Sequence, residues 1–273
     1  MSYKTILVHL DDQPRRAERL SLAFELAGRF EAHLVALFAL DAARIPSYAL
    51  AEAGPVVREI EARRRREAAS TAEAEFRRAE GAGARRAEWR VSAQDAFAAV
   101  RLSARYADLV VLGQPEPEQV AARAFAEEVL LSAGRPVLFV PYTGRFRDVG
   151  KRVLVAWNAS REAARAVSDA LPILAQAQSV EIVAFCPEDA DHGEVAGADI
   201  ALFLARHGVK AVAARQCAPD IDVGSQILSR VADSNADLLV MGGYGHSRLR
   251  ELALGGATRT VLDSMTLPVL MAH

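Results

Sequence analysis

The feature that most constrains this chain is that it repeats itself. Ile6-Leu7-Val8 recurs as Val153-Leu154-Val155, 147 positions later. The same offset carries Asp11 to Asn158, Ala17 to Ala164, Leu20 to Val167, Phe24 to Leu171 and Phe38 to Phe185. These matches span a short apolar strand, a helix with apolar residues at helical spacing and a second apolar strand. Further along, Ala107–Gly113 matches Ala236–Gly242 at an offset of 129, and Arg135-Pro136-Val137-Leu138 matches Leu267-Pro268-Val269-Leu270 at an offset of 132. The first half therefore carries 18 extra residues between its early and late blocks, and the second half is 3 residues longer between the two late blocks.

Each half reads as five strands separated by four helices. The strands fall near 4–10, 33–39, 85–91, 108–112 and 136–141 in the first half, and near 151–157, 179–185, 209–216, 237–241 and 267–272 in the second. They are near-continuous apolar runs, the pattern of strands covered by helices on both faces. Strands alternating with helices imply parallel pairing through right-handed crossovers, hence an α/β fold of two tandem doubly wound sheets. The join lies in the short polar stretch from Tyr142 to Gly150, which sets the domains at 1–147 and 148–273.

Composition narrows the function classes. A formal charge of -2 gives no global basic field for nucleic acid. The opening MSYKTILVHLDD has no secretory pattern, and no apolar stretch reaches the ~20 residues of a bilayer span. The two cysteines, Cys186 and Cys217, are too few for a disulfide scaffold. A cytoplasmic protein with no membrane partner is the expectation.

The extra residues of the first half fall between Pro46 and Gly83 and include Arg63-Arg64-Arg65-Arg66. Glu59, Glu61, Glu67, Glu73 and Glu75 offset that charge along a helix, so a long exposed helix is expected rather than a basic patch for RNA.

In doubly wound sheets ligands sit at the carboxyl ends of strands where the winding reverses. The fourth strand of the second half ends in Met241-Gly242-Gly243-Tyr244-Gly245-His246-Ser247-Arg248, and Gly255-Gly256-Ala257-Thr258 then opens the last helix. Glycines let the backbone approach a ligand, and free amides at a helix start attract anions. Thr258 adds a hydroxyl, while His246, Arg248 and Arg259 add positive charge nearby. The plain alternative is that these glycines only relieve a turn. Neither a P-loop nor a G-x-G-x-x-G after a first strand is present.

With its repeated strand and its late G-x2-G-x9-G loop at Gly242, Gly245 and Gly255, the chain resembles the universal stress proteins, tandem type. The resemblance covers nearly the whole chain, twice. It implies a five-stranded parallel sheet of order 3-2-1-4-5 in each half, the adenine nucleotide alpha hydrolase-like arrangement. It also implies binding of ATP or AMP where the loop is kept, with the place of Mg left open. Asn158 then stands where the family has an Asp at the adenosine end, and Ala156 and Phe185 border the base. Met241, Gly242, Tyr244 and Gly245 pass beneath the phosphates, and Gly255, Gly256, Ala257 and Thr258 complete the cradle. Two departures stand out: Asn158 lacks the charge, and Gly256 lacks the usual hydroxyl. The family also pairs through its last strand. Val137–Val140 is thus expected against Val269–Met271 in an internal pseudo-dimer, with a dimer of chains left open.

The first half keeps Asp11 but has Gln114-Pro115-Glu116-Pro117-Glu118 in place of the loop, and its last helix starts near Ala121-Ala122-Arg123 without a glycine pair. Prolines remove amide donors and the glutamates repel phosphate, so this half is expected to bind nucleotide poorly. Asp11 and Asp12 read as caps of the next helix rather than a metal or catalytic pair. His9 reads as a core residue, and Trp89 and Trp157 as core or rim aromatics. Cys186, Cys217, His192, His207 and His246 show no metal-ligand spacing, and no nucleophile or general base is recognisable. A stress-response sensor or protective factor that binds nucleotide is expected, the rival being a protein-interaction scaffold of the same fold that binds none.

Overall fold

The computed structural model describes residues 2–41, 47–81, 86–116, 118–185, 197–245 and 256–273. In the first half the order is β1 (Thr5–Leu10), α1 (Arg16–Phe30), β2 (His33–Phe38), α2 (Ser47–Glu80), β3 (Ala87–Val91), α3 (Ala96–Ala104), β4 (Leu109–Gly113), α4 (Val120–Ser132) and β5 (Val137–Val140). The second half repeats it with β6 (Arg152–Trp157), α5 (Arg161–Leu174), β7 (Ser179–Phe185), α6 (Ala198–Arg206), β8 (Ala211–Gln216), α7 (Val223–Asp233), β9 (Leu238–Gly242), α8 (Ala257–Ser264) and β10 (Val269–Ala272).

All ten strands join one sheet of order β3-β2-β1-β4-β5-β10-β9-β6-β7-β8, so each half has the order 3-2-1-4-5. Every pairing within a half is parallel. The halves meet through β5 and β10, which pair antiparallel with Leu270 opposite Leu138. Those two leucines are equivalent positions of the repeat. The contact is therefore the self-complementary type that a two-fold axis generates, here within one chain.

Successive strand residues point to opposite faces, and both faces are buried. One face carries Val8, Phe38, Leu138, Val155, Val240 and Leu270 in a core that runs through both halves. The other carries Leu7, Leu112, Phe139, Leu154, Leu239 and Val269 in a second shared core. Each such side chain contributes about 1.5–3 kcal/mol by leaving water. Polar contacts also tie the halves together. Tyr3 Oη donates to the Asp169 carbonyl at 2.7 Å, and Arg29 Nη1 donates to that of Val149 at 2.6 Å. The buried Gln114 donates to the Leu262 carbonyl at 2.8 Å and accepts from the Tyr142 amide at 3.2 Å.

The inserted helix α2 is 34 residues long, about 51 Å at 1.5 Å per residue. It is not exposed throughout. Ala72 and Phe76 are fully buried, Phe76 packing on Phe24 and Trp89, while Val56 and Ile60 toward its other end face solvent. Its arginines are paired as the carboxylates suggest: Arg63 with Glu67, and Arg64 with Asp12 and Glu61. Among the described residues no helix is long and apolar enough to cross a membrane. Cys217, directly after β8, is disulfide-bonded, so the cysteines no longer argue for a reducing compartment.

Candidate functional site

The carboxyl ends of β6 and β9 in the second half converge on the start of α5. That start is well built. Ser160 caps the helix by accepting the Ala163 amide at 3.1 Å, and Asn158 Oδ1 accepts both the Ser160 amide at 3.2 Å and its hydroxyl at 2.7 Å. Asn158 is exposed, and its side-chain oxygen is engaged in holding the cap. Ala156, one residue before the end of β6, and Phe185, the last of β7, are buried, each 8% exposed.

Gly242 lies against the α5 backbone. A Cβ there would stand 2.6 Å from the Ala163 nitrogen and 2.8 Å from the Glu162 carbonyl carbon, so only glycine permits the approach. The loop beyond it is held by backbone. The Gly243 amide donates to the Ala272 carbonyl at 2.9 Å, and Tyr244, at a φ of 56°, donates its amide to Thr258 Oγ1 at 3.1 Å. Thr258 is buried, and its hydroxyl oxygen braces the loop. The hydroxyl expected in the cradle thus has a structural role here. Gly256 and Ala257 begin α8, and Met241 is buried beneath the loop. Arg259 lies 3.8 Å from Asp263 on the same helix, an ion pair that takes up part of its charge. Gly255, His246, Arg248, Cys186 and His192 lie outside the described residues.

Sequence reasoning missed Glu162, the most consequential side chain of this crevice. It is 2% exposed, yet its Oε2 would lie only 3.0 Å from a Cβ on Gly245. Burial alone would raise its pKa, but the hydrogen bond and charge of Arg161, with a smaller contribution from His273, hold the carboxyl below the usual range. His273 Nδ1 in turn donates to the Gly243 carbonyl at 3.0 Å. The repeat offset pairs Glu162 with Arg15, a charge reversal that could have drawn attention to it.

In the first half the equivalent crevice is narrowed by side chains. Arg19, which stands where the repeat has Ala166, is buried and pairs with Asp11 Oδ1 at 2.8 Å. Its guanidinium occupies the space over Gly113, where a Cβ would collide with it. Phe125, which stands where the repeat has Ala257, packs on the His9 ring at 5.0 Å. A cavity remains there, lined among others by His9, Asp11, Arg19, Gly113, Gln114 and Phe125. His9 donates to the Ala39 carbonyl at 2.9 Å, and burial keeps its pKa below the usual value. Asp11 does not cap α1 as expected. It accepts the Gln13 amide at 3.1 Å and pairs with Arg19, leaving the helix N-cap at Arg15 without a side-chain cap. Among the described residues no group of three His, Cys, Asp or Glu is placed to hold a metal ion.

Two doubly wound halves joined through their last strands define a tandem α/β protein. A model of the Universal stress protein family matches residues 2–141 and again 150–273. The chain belongs to that family. A universal stress protein from Archaeoglobus fulgidus DSM 4304 superposes with a TM-score of 0.69 at 16% identity, covering 98% of this chain and 95% of that one. A functionally unknown protein from Pseudomonas aeruginosa PAO1 does so with a TM-score of 0.55 at 18% identity, covering 98% of this chain and 92% of that one. A shorter structure, the universal stress protein from Archaeoglobus fulgidus in complex with dAMP, matches 51% of this chain and 98% of its own length at 24% identity and a TM-score of 0.33. No curated protein matches the sequence significantly.

Proposed function

We propose that the second domain, residues 148–273, binds an adenine nucleotide, ATP or AMP, and that the first, residues 1–147, is a structural copy that does not. The chain then acts as a cytoplasmic stress-response sensor or protective factor by binding rather than by catalysis. The observation that carries this reading is the asymmetry of the two crevices. In the second half Gly242 and Gly245 let the loop approach the start of α5 closely, beside Ser160 and Glu162, whereas in the first Arg19 lies over Gly113 and Phe125 packs on His9. Ala156, Asn158 and Phe185 would receive the nucleoside, and Met241, Gly242, Tyr244, Gly245, Gly255, Gly256, Ala257 and Thr258 the phosphates.

The experiment is calorimetric titration of the purified chain with ATP and with AMP, alongside a Gly245→Val variant. One site per chain, lost in the variant while its melting temperature is kept, supports the reading. Absence of binding up to millimolar nucleotide refutes it. A second reading, a scaffold for protein partners, is favoured by the engagement of Asn158 with Ser160 and of Thr258 with Tyr244, which leaves fewer polar groups for a ligand. A pull-down that captures the same partner with and without the Gly245→Val substitution distinguishes it.

A further inference from the structure

The crevice of the second half holds a buried carboxylate beside the glycine loop. Glu162 sits in the first turn of α5, inside the approach between that helix and the glycine loop, and its carboxylate faces Gly245. The loop amides that could offset this charge are partly committed, Gly243 to Ala272 and Tyr244 to Thr258. The main neutralising partner is Arg161, whose side chain is 87% exposed against 2% for that of Glu162, with His273 acting more weakly. At the equivalent position the first half carries Arg15, so the acid is a property of this crevice and not of the repeat.

We infer that Glu162 is a specificity-determining residue that makes the site discriminate against polyphosphate, favouring adenosine and AMP over ATP. This rests on the nucleotide reading of the same crevice. In that reading a triphosphate would bring several negative charges near the carboxylate, while adenosine would bring none. A like-charge contact at about 6 Å in a partly solvated site weakens binding roughly 10- to 100-fold. Arg161 moderates the effect by screening Glu162, so the two residues act with opposite sign.

The test is titration of adenosine, AMP and ATP, in EDTA, into the wild-type chain, Glu162→Gln and Arg161→Ala, each checked by thermal melting. Glu162→Gln is expected to tighten ATP at least tenfold with adenosine within twofold of wild type, and Arg161→Ala to weaken ATP with adenosine again unchanged. Higher ionic strength narrows the gap between adenosine and ATP in the wild type more than in Glu162→Gln. Adenosine bound normally by both proteins, with ATP affinity unmoved by Glu162→Gln, overturns the role of Glu162 alone. A parallel change in all three ligands also overturns it, since a merely structural residue would act that way. Failure of every ligand to bind both proteins overturns the nucleotide reading itself, and the specificity role with it.

Discussion

Replacing Gly242 by alanine would place a methyl carbon 2.6 Å from the Ala163 nitrogen and 2.8 Å from the Glu162 carbonyl carbon. Both atoms belong to the first turn of α5, which Ser160 holds through its cap, so neither can withdraw by turning a side chain. The strand or the helix must move, which places the cost at the upper end of overpacking, about 3 kcal/mol. For a chain of this size that lowers the melting midpoint by roughly 6–12 °C. Gly245 differs although it lies only three residues on. A methyl group there meets Glu162 Oε2 at 3.0 Å and Ser160 Oγ at 3.3 Å, the ends of side chains that can give way. Gly245→Ala should therefore cost less than about 1 kcal/mol. Gly28 in α1 has nothing within 4 Å of such a methyl, and Gly28→Ala should gain about 0.5–1 kcal/mol. Urea and thermal denaturation followed by circular dichroism, with coincident probes to verify two-state behaviour, measure all three. A Gly242→Ala midpoint within about 1 °C of wild type would refute the steric reasoning. Equal losses at Gly242 and Gly245 would refute it too.

Asp11→Asn leaves the buried Arg19 without its counter-ion and is expected to cost about 3–5 kcal/mol, read from the urea midpoint. Despite burial, which raises its pKa, Arg19 keeps Asp11 below the usual carboxylate range. The stability it contributes is thus present above about pH 3.9 and lost as pH falls through its folded-state value. Burial lowers the pKa of His9, so the unfolded chain takes up that proton first as pH falls below about 6.5. Stability should decline between pH 7 and 5 with a slope of up to about 1.4 kcal/mol per pH unit from this group, and His9→Gln should flatten that part of the profile in urea titrations at each pH. Tyr3→Phe removes the hydrogen bond to the Asp169 carbonyl between the halves and should cost about 1 kcal/mol, with the two halves still unfolding together by calorimetry.

The strands were legible because a strand buried on both faces must be written as an apolar run, and because the repeat wrote each run twice; their order followed from the family resemblance. The β5–β10 pairing followed from the family resemblance, and Leu138 opposite Leu270 bears it out. The crevices were harder. An arginine in the first turns of a helix reads as a solvated charge, and nothing local says that Arg19 folds inward over Gly113. A glutamate in a first turn reads as a complement to the helix dipole, which hid Glu162 in ordinary chemistry. Asp11 had the residue type of a cap but pairs with Arg19 in the first turn of the helix, and that choice depends on which side chains share the crevice. The insert was legible as a helix, but the burial of Phe76 depends on Phe24 and Trp89 arriving from distant parts of the chain.

The antiparallel seam between β5 and β10 also sets what such a molecule can become. When two identical chains pair, any change to a binding crevice appears in both copies at once, and losing one means losing both. Joined in a single chain, the copies are free to change separately while each goes on supplying half of the shared cores. One crevice can close around an arginine and a phenylalanine at no cost to the other. The seam thus turns a duplicated site into a site and a support, and it lets a single substitution alter one without its image in the other.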